Sequence, residues 1–290
     1  MTISDDAMEF TGERFTPECV REIWYEHWHR YAFALPLAQG KRVLDAACGE
    51  GYGSALLAQA AARVTGVDIA PDAVAHARAR YGDKPNLEYR QGDATALDAL
   101  PDASYDLICC FETLEHVEAQ EALLAGFARL LAPGGVLLVS SPDKAEYSDA
   151  RGFRNEFHVR ELYRDELQAL LAKHFAQYRL YAQKLLFQSA LWSLDDAASG
   201  AAALTERDGS VEPGLRYPPL YYLAVCSQGA LPNLPAMHLF GDAGESVYSH
   251  YNGEVRKNMA AGARIAELEQ RIADLQAVPK PRPWWRRWFA

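Results

Sequence analysis

The stretch FETLEHV, residues 111–117, sets Glu112, Glu115 and His116 directly behind the apolar run YDLICC. Two carboxylates and an imidazole that titrates near neutral pH, placed where a buried strand ends, suit removal of a proton from a bound substrate. His116 is the first candidate for a general base, with Glu115 or Glu112 orienting it. Its rival is His158 in RNEFHVRE, inside a segment too long for a simple turn and able to fold over the same crevice. A second constellation, LDAACGEGYG at 44–53, places Asp45, Ala47, Gly49 and Gly51 where a strand gives way to a helix. Glycines there let the backbone approach a ligand, and the free amides of a helix start attract an anion. From Gly49 and Gly51 the third position of a GxGxxG fingerprint falls on Ser54, which disfavours a dinucleotide site. Asp68 closes VTGVDI, where a carboxylate accepts both hydroxyls of a ribose, and Asp93 in QGDATAL follows the third strand, where a carboxylate can bond an adenine amino group.

The elements that must position these groups are legible in the hydropathy pattern. The runs RVLDAAC, RVTGVDI, NLEYRQ, YDLICCF and GVLLVSS alternate with Ala-rich helical segments near 53–62, 71–81 and 119–131. Strands alternating with helices of that length predict parallel pairing and a doubly wound α/β sheet. A helix is expected over 163–174. QYRLYAQKLLFQ and PPLYYLAVCSQ, with no strong helix between them, then predict an antiparallel pair that closes the sheet. Residues 18–38 read as one or two helices ahead of this fold. Ile265, Leu268, Ile272 and Leu275 form about two heptads of a coiled-coil-like seam, and PKPRP followed by WWRRWFA ends the sequence.

Composition narrows the function classes. With 290 residues, 49% hydrophobic and 23% charged, the chain has ordinary globular make-up. A formal net charge of -10 opposes non-specific attraction to nucleic acid, and no nucleic-acid partner is expected. The five cysteines, Cys19, Cys48, Cys109, Cys110 and Cys226, lack CxxC spacing, which suits a reducing cytosol and argues against structural zinc. His27 and His29, two apart on a helix, face different directions. No metal site is expected. Neither a signal-like N-terminus nor a run of membrane-spanning length is present in the sequence, so a cytoplasmic location is expected.

Taken in order, Asp45-x-Ala47-x-Gly49-x-Gly51, Asp68, Asp93 and the strand leading into FETLEHV resemble the class I S-adenosylmethionine-dependent methyltransferases over about residues 40–228. The family pattern is DxGxGxG, and Ala47 replaces its first glycine, which is acceptable with a negative φ there. The resemblance implies a Rossmann-like, mostly parallel seven-stranded sheet as the methyltransferase domain (41–228), behind an N-terminal helical lid (1–40); beyond it the residues themselves read as a connector and short coiled-coil-like helix (229–278) and a basic aromatic tail (279–290). It implies S-adenosylmethionine as cofactor. The Gly49 to Gly51 turn would hold its methionine part with Asp45 ordering it, Asp68 would bind the ribose and Asp93 the adenine, Phe111 and Glu112 would line the methionine and sulfonium side, and Ala47, Tyr52, Ile69 and Ala94 would complete the cofactor site.

GERFTPE, EHWHRY, CGEGYGS, FETLEH and NEFHVRE together resemble a bacterial subgroup associated with cell-surface polysaccharides, which implies a sugar hydroxyl, free or on a lipid-linked glycan, as acceptor. By that resemblance Arg14, Tyr25, His27, Arg30, Tyr31 and Asn155 would close over cofactor and sugar. An O-methyltransferase for a phenol, quinone or carboxylate, and a non-catalytic cofactor-binding scaffold, are the alternatives. Trp284, Trp285, Trp288 and Phe289, interleaved with Arg286 and Arg287, suit an anionic membrane surface at residues 280–290. The seam predicts a homo-oligomer through 254–277.

Overall fold

The computed structural model describes residues 22–191, 193 and 202–277. Arg14, Cys19 and the tail 279–290 lie outside the described residues. The chain divides into two compact units, Met1–Phe240 and Gly241–Ala290.

In the first unit, seven strands form one sheet: β1 (Arg42–Ala46), β2 (Arg63–Asp68), β3 (Leu87–Gln91), β4 (Tyr105–Cys110), β5 (Leu131–Pro142), β6 (Gln177–Gln183) and β9 (Tyr221–Ser227). Their spatial order is β3-β2-β1-β4-β5-β9-β6. The pairings from β3 through β5 are parallel, and β9 runs against both of its neighbours. The expected closing pair is therefore present, with the later strand inserted between β5 and β6. The remaining strands, β7 (Leu204–Arg207) and β8 (Ser210–Pro213), form a separate hairpin turned by Asp208-Gly209, both at positive φ.

Successive residues of the central strands feed opposite cores, which is why their sequences read as continuous apolar runs. Val43, Leu107 and Cys109 pack under α1 (Glu22–Ala34), α2 (Tyr52–Leu57) and α3 (Pro71–Tyr81). Leu44, Ile108 and Cys110 pack under α4 (Gln120–Leu130) and α5 (Arg164–His174). α2 is shorter than the 53–62 segment predicted, because its ladder tightens to i→i−3 bonds at Gln59 N to Leu56 O and Ala60 N to Leu57 O before the chain enters β2. The order of strands reverses between β1 and β4, so their carboxyl ends open a crevice there.

The expected boundary at residue 228 falls too early. Leu231 and Leu234 pack on the first core, His238 meets His29 and Phe240 meets Trp24, so the unit continues to Phe240. Residues 22–34 also belong to this unit, with Glu26, Arg30, Tyr31, Phe33 and Ala34 buried.

The second unit contains α6 (Ser246–Ala277), far longer than the predicted seam. Both carboxylate oxygens of Asp242 accept the Ser246 amide, at 3.1 and 3.2 Å, and start it early. Ile265, Leu268, Ile272 and Leu275 are exposed on it. No described helix is long and apolar enough to cross a membrane.

Candidate active site

The turn after β1 carries the cofactor constellation. Ala47, Gly49 and Gly51 all have positive φ, at 57°, 56° and 93°. The expectation that Ala47 keeps a negative φ is thus wrong. The alanine adopts the left-handed conformation of the glycine it replaces, at a cost of about 1–2 kcal/mol. What holds it there is the turn itself: Cys48 N donates to Val67 O at 2.9 Å and Gly49 N donates to Asp68 Oδ2 at 2.8 Å. At Gly51 a Cβ would lie 2.7 Å from that of Ala77 and 2.8 Å from the Tyr89 ring, so only glycine fits.

Asp68 is buried at the end of β2, and its second oxygen accepts Ala70 N at 3.0 Å. A carboxylate oxygen can accept more than one hydrogen bond, so the same side chain can take ribose hydroxyls. Asp93 binds Thr95 N and Oγ1 through Oδ1 alone, at 2.8 and 2.7 Å. Ile69, beside Asp68, is 65% exposed, a large apolar side chain at the lip of the crevice. Ala94 is partly buried on the other core. Two acceptor carboxylates, an open turn of left-handed residues and an exposed aliphatic face match an adenosine: ribose hydroxyls, an amino group and a flat ring.

Asp45 lies fully buried beneath the turn. Ser54 Oγ donates to it at 2.6 Å, and the Tyr31 hydroxyl at 3.1 and 3.3 Å. Burial pushes its carboxyl up to about 7, against those two donors, with the charge of Asp68 adding to the rise. Tyr31 reaches it because residue 53 is glycine. A Cβ there would stand 2.0 Å from the Tyr31 ring. Tyr52 and Phe111 close around the same ring edge-on, at 5.2 and 5.0 Å. Tyr31, expected only as a lid residue, is thus a structural member of the cofactor turn.

Arg30, one residue earlier on α1, is 1% exposed. Its Nε donates to Gln183 Oε1 at 2.8 Å, Nη2 lies 3.4 Å from Glu112 Oε1, and the guanidinium sits over the Tyr221 ring at 4.7 Å. Glu112, at φ 49°, also accepts the Ser140 hydroxyl at 2.6 Å and donates its amide to the same oxygen at 3.0 Å. Glu112 is therefore committed to Arg30 and Ser140 instead of orienting His116. Glu26, a turn before Arg30, is held by burial at about 7, with Arg30 opposing the rise and Glu112 adding to it. Tyr25 packs on Trp24 and Phe240. His27 is pushed well below its ordinary value by burial and by Arg30.

Past Glu112 the chain makes a short 3-10 turn over Leu114–His116. His116 Nδ1 lies 2.9 Å from Phe157 O, while Glu115 O accepts Val159 N and Arg160 N, so the long loop after β5 is sewn onto this turn. His158 arrives with it, its ring perpendicular to that of His116 with centroids 4.9 Å apart. The two rivals are one cluster. His158 Nδ1 pairs with Glu161 Oε1 at 2.6 Å, Asn155 Nδ2 approaches Nε2 at 3.0 Å, and Tyr147 stacks on the ring at 5.3 Å. Glu115 is 1% exposed, and burial, reinforced by Glu112, pushes its carboxyl well above the usual range. The absence of a metal centre was expected from cysteine spacing and the His27/His29 pair. The structure instead gathers ligating atoms of Glu115, His116 and His158 within 4.8 Å of one another.

Two cavities adjoin these groups. One of about 510 Å³ is lined by Glu26, Tyr147, Arg151, Phe153, Lys184 and Tyr221. Another, of about 870 Å³, is lined in part by Tyr25, Phe33, Leu180, Leu186, Leu223 and Leu234. Sequence reasoning missed Glu26, Tyr147, Gln183 and Tyr221, none of which carries a motif. It also missed Glu50, buried against His76 (2.9 Å) and Tyr81 (3.1 Å), which ties the glycine turn to α3.

Comparison with other proteins agrees with this geometry. Residues 44–139 match the family model described as a methyltransferase domain. A probable S-adenosylmethionine-dependent methyltransferase of Mycolicibacterium smegmatis is 41% identical over 168 residues, 57% of this chain and 64% of that protein. One from Mycobacterium tuberculosis is 39% identical over 173 residues, 59% of this chain and 62% of that protein. The chain thus spans less than two thirds of these relatives. A ubiquinone biosynthesis O-methyltransferase of Paracidovorax citrulli is 38% identical over 105 residues, 36% of this chain and 44% of that protein. In fold, YcgJ from Bacillus subtilis is similar with a TM-score of 0.51 at 20% identity, over 70% of this chain and all of YcgJ. Residues 44–139 thus match a methyltransferase domain, set on a Rossmann-like α/β sheet. S-adenosylmethionine is the cofactor that this domain and fold imply.

Proposed function

We propose that the protein transfers the methyl group of S-adenosylmethionine to a sugar hydroxyl, free or on a lipid-linked glycan, bound in the smaller cavity. The bound cofactor supplies a methyl carbon already activated by a sulfonium, so the chain has only to align the acceptor oxygen and give its proton a way out. The carrying observation is the lining of that cavity. Tyr147, Phe153 and Tyr221 offer aromatic faces for the C–H face of a sugar ring, and Glu26, Arg151 and Lys184 offer partners for its hydroxyls. Tyr147 also stacks on His158, and Tyr221 carries Arg30, so the cavity wall is continuous with the side chains that hold Glu112 and the histidine cluster. The proton leaves at that cluster. Arg30 and Tyr31 hold α1 across the crevice and fix Glu112 and Asp45.

A second reading has an observation of its own. The larger cavity has a leucine-rich part, with Leu180, Leu186, Leu223 and Leu234, beside the polar Glu26, His29, Arg30 and Arg179, and that part suits a quinol or another apolar acceptor, in keeping with relatives named as ubiquinone biosynthesis O-methyltransferases. Incubation with isotope-labelled S-adenosylmethionine and two acceptor panels, glycans and catechol or quinol compounds, separates the readings by mass spectrometry of the products. Label confined to the quinol panel would discard the sugar assignment. The exposed stripe of α6 supports self-association, and the composition of 280–290 supports contact with an anionic membrane surface at the cytoplasmic face.

A further inference from the structure

We propose that Glu115, His116 and His158 bind a divalent transition-metal ion, which receives the acceptor hydroxyl and loosens its proton. Its binding stands on the geometry alone, whereas its role rests on the methyltransferase reading above.

The first observation is convergence: the three ligating atoms lie within 4.8 Å of one another. The second is an orphan. Glu115 is 1% exposed, yet its Oε2 is buried with no hydrogen-bond partner, a costly condition for a carboxylate oxygen. The third is the orientation of both imidazoles. A carbonyl oxygen only accepts, so the contact with Phe157 O puts the His116 proton on Nδ1 and makes Nε2 the acceptor nitrogen of the ring. That Nε2 stands 4.0 Å from Glu115 Oε1. His158 is arranged in the same way. The Glu161 carboxylate holds a proton on Nδ1, and the Nε2 lone pair now receives only the Asn155 amide. A histidine whose far nitrogen is pinned by a carbonyl or carboxylate is the usual form of a metal ligand, because the pinning fixes the tautomer and raises basicity.

Metal–nitrogen and metal–oxygen bonds of about 2.0–2.2 Å would draw the three atoms together by roughly 1 Å, within reach of side-chain rotation. Two imidazoles and one carboxylate favour manganese, iron, cobalt or zinc over magnesium or calcium. Three protein ligands leave coordination positions open. A hydroxyl bound there loses its proton to solvent more readily, its oxygen forms the new bond to carbon, and the carbon–sulfur bond breaks to leave a neutral thioether. His116 and His158 then act as ligands, and neither serves as the base expected from sequence.

The test uses the full chain, stripped with a chelator and titrated with Co2+. Calorimetry reads stoichiometry and visible absorption reads the ligand field. One ion per chain is expected, with binding weakened roughly tenfold or more in His158→Gln and in Glu115→Gln. His238→Gln, which removes an imidazole of the separate His29–His238 pair, should bind as the parent does. S-adenosylmethionine binding serves as the folding control. If Glu115→Gln fails that control, His116→Gln takes its place. Failure of the parent to bind Co2+, or equal binding by parent and His158→Gln, overturns the site. Tight site-dependent binding without any stimulation of methyl transfer, on an acceptor that is otherwise turned over, overturns the role and leaves the methyltransferase reading intact.

Discussion

Replacing Tyr31 by Phe removes one oxygen from the centre of the cofactor turn and leaves the ring packing against Tyr52, Phe111 and Gly53 in place. That oxygen donates to Asp45, whose carboxyl titrates at about 7 instead of its ordinary 3.8 because it is buried. Above that pH the lost bond is charge-assisted and worth about 1.5–3 kcal/mol, and below it the bond is neutral and worth about 0.5–1.5 kcal/mol. Tyr31→Phe should therefore destabilise the protein by about 2 kcal/mol near pH 8.5 and by about 1 kcal/mol near pH 5.5. The sign follows from linkage. A folded pKa raised above the unfolded value contributes stability that is complete below pH 3.8 and is lost as the pH rises through about 7. Without the phenol the folded pKa climbs further, so the variant keeps losing stability where the parent levels off. Urea unfolding of both proteins without cofactor, followed by circular dichroism at the two pH values, measures the difference. An equal loss at both would refute the coupling of α1 to a titrating Asp45.

Ala47→Gly relieves the positive φ of 57° but gives the unfolded chain more freedom. The net gain is about 0.5–1 kcal/mol, seen as a melting temperature higher by a few degrees, and a lower value would mean that the alanine methyl makes contacts worth more than its strain. Leu268→Glu in the exposed stripe of α6 should reduce the sedimentation coefficient if copies associate through it, and an unchanged coefficient would remove the oligomer. Ending the chain near Val278 should abolish co-sedimentation with phosphatidylserine vesicles while leaving cofactor affinity unchanged. Equal sedimentation of both forms would remove the membrane surface as a partner.

The sheet was legible because its strands are buried on both faces and read as short apolar runs, and because Asp45, Asp68 and Asp93 each close or follow one of them. The reversal of β9 was legible as a missing crossover helix. Ala47 was misread since the motif gives a residue type and not a dihedral. The pairing of His116 with His158 was hidden because it depends on where a long loop lands, here fixed by two backbone amides on Glu115 O. Arg30 and Tyr31 looked like a covering helix; their contacts with Glu112 and Asp45 arise from tertiary packing that no local spacing records. Tyr147, Gln183 and Tyr221 belong to the same class, ordinary residues brought to His158 and Arg30 by tertiary packing.

In the proposed function, the turn from Ala47 to Gly51, tied down by Asp68, holds S-adenosylmethionine. Titration calorimetry of the full chain with S-adenosylmethionine tests it most directly, with Asp68→Ala as comparison. Saturable binding at one site per chain is expected, weakened about 100-fold by the substitution, since the carboxylate ties down Gly49 and its loss would also remove the proposed ribose contact. No binding by the parent, or equal affinity in both proteins, would contradict it.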